Sequence, residues 1–265
     1  MPTLLSPRLK LERAGEHIKT LHTEFQAYMD RDPHSLSTEV DAEGWNVVSI
    51  EIVRPMPEQL ALIAGDAIHC IRSSLDHIVY AVATGSATKR RGCYWPVAMT
   101  EAEYLQPRGK APCERPSMRE EGLRAVPEPI RAIVDSTQPY HGGSRAKDHV
   151  FAVISRLDNA DKHRVVPPAL AVVKDFGEVD ASLVAPGPAR TLHEEWIEFG
   201  RPLVLNEKTK LLRWRTDPPT PADQVNVKFK PTMNVVFGEV GTFDQVWKAF
   251  VEIKKLVHRI EAAIV

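Results

Sequence analysis

The chain is poor in the features that usually settle a protein's class at once. Its three cysteines, Cys70, Cys93 and Cys113, show no C-x-x-C spacing and leave an odd count. That argues against a disulfide framework and fits a reducing, cytoplasmic setting. No apolar run is long enough to cross a bilayer, and the opening MPTLLSPRLKLERAG lacks the apolar core of a signal peptide. No membrane partner is therefore expected. Neither sign of charge is in excess, since 34 basic residues face 35 acidic ones for a formal charge of −1. A near-neutral chain has no global drive toward nucleic acid, although a local groove can supply one. Also missing are a P-loop, G-x-G-x-x-G, G-x-S-x-G and H-E-x-x-H, which removes the most recognisable nucleotide, hydrolase and zinc-protease signatures.

With 43% hydrophobic and 26% charged residues, the chain has the composition of a globular protein large enough for a substantial core. One domain over residues 1–265 is expected. Helical periodicity predicts long helices at 6–30, 57–84, 145–164 and 242–264. The first opens on Ser6 as N-cap with Pro7 at N1, and carries the seam Leu11, Ala14, Ile18, Leu21, Phe25 and Tyr28. The last opens on Thr242-x-x-Gln245, a capping-box pattern. Residues 31–44 read as a loop and 45–53 as a strand. Residues 85–118 read as a long irregular segment containing the basic triplet Lys89-Arg90-Arg91, and a short helix is expected near Ile130. Between 169 and 239, short apolar runs (ALAVV, EVDASLV, EEWIEF, RPLVL, LLRWR, VNVKF, MNVVF) suggest a meander-like, mostly antiparallel sheet. The fold class is α+β: about four long helices in a bundle, plus a sheet from the second half.

The stretch Pro57–Thr84 organises the rest. At ~100° per residue, Ile68, Ile71, Leu75, Ile78, Val79 and Val82 share one face. Asp66, His69, Arg72, Ser73, Asp76, His77 and Tyr80 form the opposite arc. Those side chains bond directionally and are costly to bury unpaired, so the arc suggests a polar network meeting another polar face. The second face is expected from LDNADKHR. Continuing the stripe Val150, Val153, Ile154, Leu157 by one turn reaches Asp161 and Arg164, with Asn159 and His163 alongside. Arg72–Asp161 and Asp76–Arg164 are the expected ion pairs.

Arg72-Ser73-Ser74-Leu75-Asp76-His77 has the form R-x4-H on a helix of a bundle, and in that respect resembles the HEPN superfamily of metal-independent RNases and toxin or defence proteins. The resemblance implies RNA as substrate, no metal or other cofactor, and a site often completed by a second subunit, hence a homodimer. Carried over, Arg72 binds the scissile phosphate and stabilises developing charge. His77 moves protons, Asp76 orients a partner, and Ser73 stands where the family often has another polar residue. On an ideal helix Arg72 and His77 diverge by ~140°, so joint action calls for a kink or a dimer interface. The longer pattern G-D-A-I-H-C-I-R-S-S-L-D-H, Q-P-Y and L-D-N-A-D-K-H-R resembles uncharacterised bacterial proteins of actinomycetes and their phages, and implies no activity.

Two other readings compete. Asp66, His69, Asp76, His77, Asp161 and His163 offer oxygen and imidazole ligands for a metal, against which Arg72 and Arg164 would repel a cation. Alternatively the whole cluster is a structural network in a non-catalytic binding or interaction module. Exposure separates the readings: a catalytic Arg72–His77 pair lines a solvent-reachable groove, whereas a structural network is dry and fully paired.

Overall fold

The computed structural model describes residues 3–109, 115–163, 168–172, 180–183, 191–196, 203, 206–217, 225–228, 233–237 and 241–264. The chain is α+β, and it divides into two compact units. One comprises residues 1–23, 59–166 and 240–265; the other comprises residues 24–58 and 167–239. Cys113, Arg164 and most of the RPLVL run lie outside the described residues.

The helical unit is built on α1 (Leu5–Met29), α2 (Gln59–Val82), α7 (Val150–His163) and α8 (Phe243–Ala263). Only the part of α1 up to Thr23 belongs to this unit. Leu11, Ala14, Ile18 and Leu21 of α1 are buried as their spacing predicts, and so is the apolar face of α2. In α8 the buried row is Val246, Ala249, Phe250, Ile253, Leu256, Val257 and Ile260. Helix α7 packs on both α2 and α8, placing Val153, Ile154 and Leu157 in a dry core. The first helix departs from expectation at its start: it begins at Leu5, whose N–H donates to Thr3 Oγ1. Ser6 is therefore inside the first turn, free to bond elsewhere. The capping box of α8 is formed as read, with Thr242 Oγ1 accepting from Gln245 N and Gln245 Oε1 accepting from Thr242 N.

Between α2 and α7 the chain is more regular than its composition suggests. Among the described residues it carries four short helices: α3 (Ala87–Arg90), α4 (Glu101–Leu105), α5 (Met118–Leu123) and α6 (Glu128–Ser136). Thr100 and Ser117 cap α4 and α5. The expected start of the third long helix also moves: Pro139–Asp148 is a 3-10 stretch with non-helical backbone at Gly143, and α7 begins only at Val150.

The second unit contains the sheet. The polar segment read as a loop forms β1 (His34–Val40), which pairs antiparallel with β2 (Asn46–Ile52). As an edge strand with most side chains exposed, β1 leaves no apolar alternation to detect. Strands β3 (Pro168–Val172), β4 (Asp180–Leu183), β5 (Thr191–Trp196), β6 (Lys208–Asp217), β7 (Val225–Lys228) and β8 (Met233–Phe237) follow. They pair as β5 with β6, β4 with β7 and β3 with β8, a nested order rather than a meander. Strand β2 joins β6, so the four-stranded sheet runs β1-β2-β6-β5 and recruits the first half of the chain. Tyr28, Ile50, Ile52, Leu203 and Leu211 form its core cluster.

Thr242→Ala removes one half of the α8 capping box. It is expected to lower stability by about 1 kcal/mol, read from urea denaturation.

Candidate functional site

The polar arc of α2 lies wholly in the helical unit, and the structure splits it in two. Its inner part is Arg72 and Asp76. Arg72 Nη1 donates to Asp76 Oδ1 at 2.8 Å, one helical turn away, and Nη2 donates to the Trp95 carbonyl at 3.1 Å. Asp76 Oδ1 in turn accepts from the Trp95 N–H at 2.9 Å. Two charged side chains thus grip the N–H and C=O of one residue whose indole is fully buried. The expected Arg72–Asp161 pair is not formed, because Arg72 is drawn instead to Trp95. Asp76, expected opposite Arg164, finds its cation on its own helix.

The same segment is held from its other side. Buried Gln138 accepts from Ala98 N at 3.2 Å and donates to the Pro96 carbonyl at 3.0 Å. The segment from Trp95 to Ala98 carries backbone groups with no sheet to satisfy them, and Arg72, Asp76 and Gln138 supply the partners. Gln138 was not among the site candidates, although the Q-P-Y run that contains it was visible. By the exposure criterion, the Arg72 guanidinium falls on the structural side: its side chain is 16% exposed and bonded at both ends.

The outer part of the arc faces water. Asp66, His69 and Tyr80 are exposed, and Ser73 and His77 are half-buried. His69 Nδ1 lies 3.1 Å from Asp158 Oδ1, and Lys162 Nζ lies 2.6 Å from Asp158 Oδ2. Asp158 is the buried member at 3% exposure, while the His69 side chain is 51% exposed. With Nδ1–H donating to the carboxylate, Nε2 is directed to solvent. Sequence reading extended the α7 stripe to Asp161 and missed Asp158. The signal was the other row, Val150–Ile154–Asp158, which steps by four onto a carboxylate.

His77 Nδ1 lies 2.7 Å from Ser6 Oγ, so α1 holds the second imidazole. Burial, together with the nearby Lys10 ammonium, pushes the His77 imidazole below its ordinary value; Asp76 opposes this. Ser73 turns back to the Cys70 carbonyl at 3.4 Å. Tyr80 lies beneath the Arg90 guanidinium, 5.4 Å from ring centroid to Cζ.

Asp161 sits over the backbone of α2. A Cβ at Gly65 would come within 2.6 Å of Asp161 Oδ1, so the carboxylate occupies the space that a side chain at position 65 would fill. Burial raises the Asp161 carboxyl above its usual range; Asp158 and Asp66 add to this, and His69 opposes it. Asn159 is exposed, His163 is the last residue of α7, and Arg164 lies outside the described residues. Among the described residues, no three His, Cys, Asp or Glu side chains are grouped to hold a metal ion. Cys70 is buried, and its thiol is raised by that burial.

No family model matches the chain, no curated protein matches its sequence, and no solved structure matches its fold.

Two substitutions test this division of the arc. Arg72→Ala leaves the Trp95 carbonyl and Asp76 without their cation and is expected to lower stability by about 1.5–3 kcal/mol in urea denaturation. Asp161→Asn should act the other way. A carboxyl raised on folding is protonated more readily folded than unfolded, so its charge costs stability at neutral pH. The variant is expected to melt higher than wild type at pH 7, with the gain shrinking as pH falls toward about 4, the ordinary aspartate range.

Proposed function

We propose that the outer row of α2 is a metal-independent acid–base surface acting on RNA, a HEPN-like ribonuclease of the toxin or defence type, and that Arg72 and Asp76 position it. The observation that carries this reading is the pair of solvent-reachable imidazoles, His69 and His77. Each has Nδ1 anchored, by Asp158 and by Ser6 respectively. They lie on one helix face eight residues, or about two turns, apart. His69 is one of the groups whose charge lowers the His77 imidazole, after burial and Lys10.

RNA cleavage without a metal needs a base for the ribose 2′-hydroxyl and an acid for the leaving 5′-oxygen. His77, held toward its neutral form, is the base when its Nδ1–H donates to Ser6 Oγ and Nε2 is left free. The 2′-oxygen forms a bond to phosphorus as the bond to the 5′-oxygen breaks. His69 Nε2 delivers the proton to that oxygen, with its own charge balanced by Asp158. The products are a 2′,3′-cyclic phosphate and a 5′-hydroxyl. Lys10, close enough to depress His77, supplies positive charge near the reacting phosphate. Arg72 then acts as a positioning residue, and a second subunit is not required to bring it to His77.

A second reading is favoured by the Arg72–Asp76 grip on Trp95: the cluster is architectural throughout and the chain is a non-catalytic interaction module. Incubating a mixed RNA pool with EDTA separates the two. Under the nuclease reading, wild type cleaves and leaves cyclic phosphate ends. His77→Ala and His69→Ala each lose about 100-fold or more, and the acid limb of the rate profile falls below about pH 6.5. Absence of cleavage by folded wild type, or equal cleavage by both variants, overturns it.

A further inference from the structure

Beyond the two imidazoles, α2 ends at a basic patch with no carboxylate partner among the described residues. Four cations converge there: Lys89, Arg90, Arg91 and Arg124. Lys89 and Arg90 lie on α3, Arg91 follows directly, and Arg124 comes from the end of α5. Arg124 Nε donates to the Lys89 carbonyl at 3.1 Å, which ties the end of α5 to the basic turn. Arg124 also passes over Gly92, which has a φ of +75°; a Cβ there would lie 3.1 Å from Arg124 Nη2. The backbone turn and the missing side chain together let the guanidinium cross. Arg90 stacks on Tyr80, and its Nε is buried without a hydrogen-bond partner among the described residues.

None of the four has a carboxylate partner among the described residues. Of the acidic groups nearby in the chain, Glu120 accepts from Ser117 N in the α5 cap, Glu121 binds Arg108, and Glu128 binds Arg119 and lies 3.8 Å from Arg131. Four cations gathered at one place with no carboxylate among them make a local positive field. Its chemistry is selective. Three of the four cations are arginines, whose planar forks match phosphate oxygens. Beside them Tyr80, 51% exposed, offers an aromatic surface one turn beyond His77 on the same helix face. Phosphate-matching cations next to an exposed ring form the arrangement that holds single-stranded nucleic acid, the backbone on the charges and a base on the ring or the guanidinium plane.

We propose that Tyr80, Lys89, Arg90, Arg91 and Arg124 form a track for single-stranded RNA leading to His77. The track takes from the preceding reading that RNA is the ligand, but its test does not depend on cleavage. The probe is a fluorescein-labelled single-stranded RNA of about 20 nucleotides with every ribose 2′-O-methylated, so that it binds but cannot be cut. Anisotropy is measured over a salt series for wild type, Tyr80→Ala and the double variant Lys89→Glu/Arg91→Glu. The two side chains changed in the double variant are exposed, and matching thermal melts establish that it is folded.

The double variant is expected to bind at least about tenfold more weakly. The slope of log K against log salt should fall by about 1.4, since two phosphate contacts on a single strand are lost. Tyr80→Ala should weaken binding by about tenfold with the slope unchanged. No binding by wild type, or equal binding by the double variant, overturns the track. So does equal retention of wild type by phosphatidylserine vesicles or polyglutamate, which marks a general polyanion or membrane surface. Normal binding with no cleavage of ordinary RNA would keep the track and overturn only the nuclease reading.

Discussion

The helical unit depends on a single backbone segment being held without secondary structure. Trp95 to Ala98 crosses a dry region where an unpaired N–H or C=O costs about as much as a lost hydrogen bond. Arg72 and Asp76 satisfy the two groups of Trp95, and Gln138 satisfies Pro96 and Ala98. The buried indole then packs edge-on to Phe151 of α7, with ring centroids 6.1 Å apart. One segment is thereby fixed against α2, α7 and the turn that follows α6. Charged groups do this better than neutral ones because their hydrogen bonds are stronger. Arg72 and Asp76 also neutralise each other across one turn of helix, so neither charge is stranded.

This explains why α2 mixes two kinds of polar residue on one arc. The side turned inward carries the pair that grips the peptide; the side turned outward carries imidazoles anchored at one nitrogen. R-x4-H, read as a unit, joins one residue from each group. Arg72 bonds the Trp95 peptide and His77 bonds Ser6, so the ~140° divergence on an ideal helix is kept: the two side chains meet different partners.

The four long helices, the strand at 46–52 and the capping box of α8 were legible because each rests on local periodicity or on a local hydrogen bond. Strand β1 was not, since an exposed edge strand such as HSLSTEV is defined by its neighbour rather than by its own pattern. Pairing order was hidden for a related reason: apolar runs mark strands but carry no label for their partners. At the site, the polar arc itself was readable from phase alone. Its partners were not. The Trp95 peptide presents no side-chain signature, and Asp158 sat one residue outside the stripe that was followed. Gly65 carries no signal of its own, since its role is set by the Asp161 carboxylate lying across it.

The nested strand order has a consequence for how the second unit assembles. Pairing β5 with β6 closes a short loop, and each pair outside it, β4 with β7 and then β3 with β8, closes a loop already shortened by the one within. These pairs can therefore zip outward at low entropic cost per step. Strand β2 is different. To reach β6 it must close a loop that contains residues 59–166, most of the other unit. Non-local closure of that kind is the slow event in folding. Pairing with β2 is therefore the most non-local contact of the sheet, and it covers an edge of β6 that would otherwise be open to another extended chain.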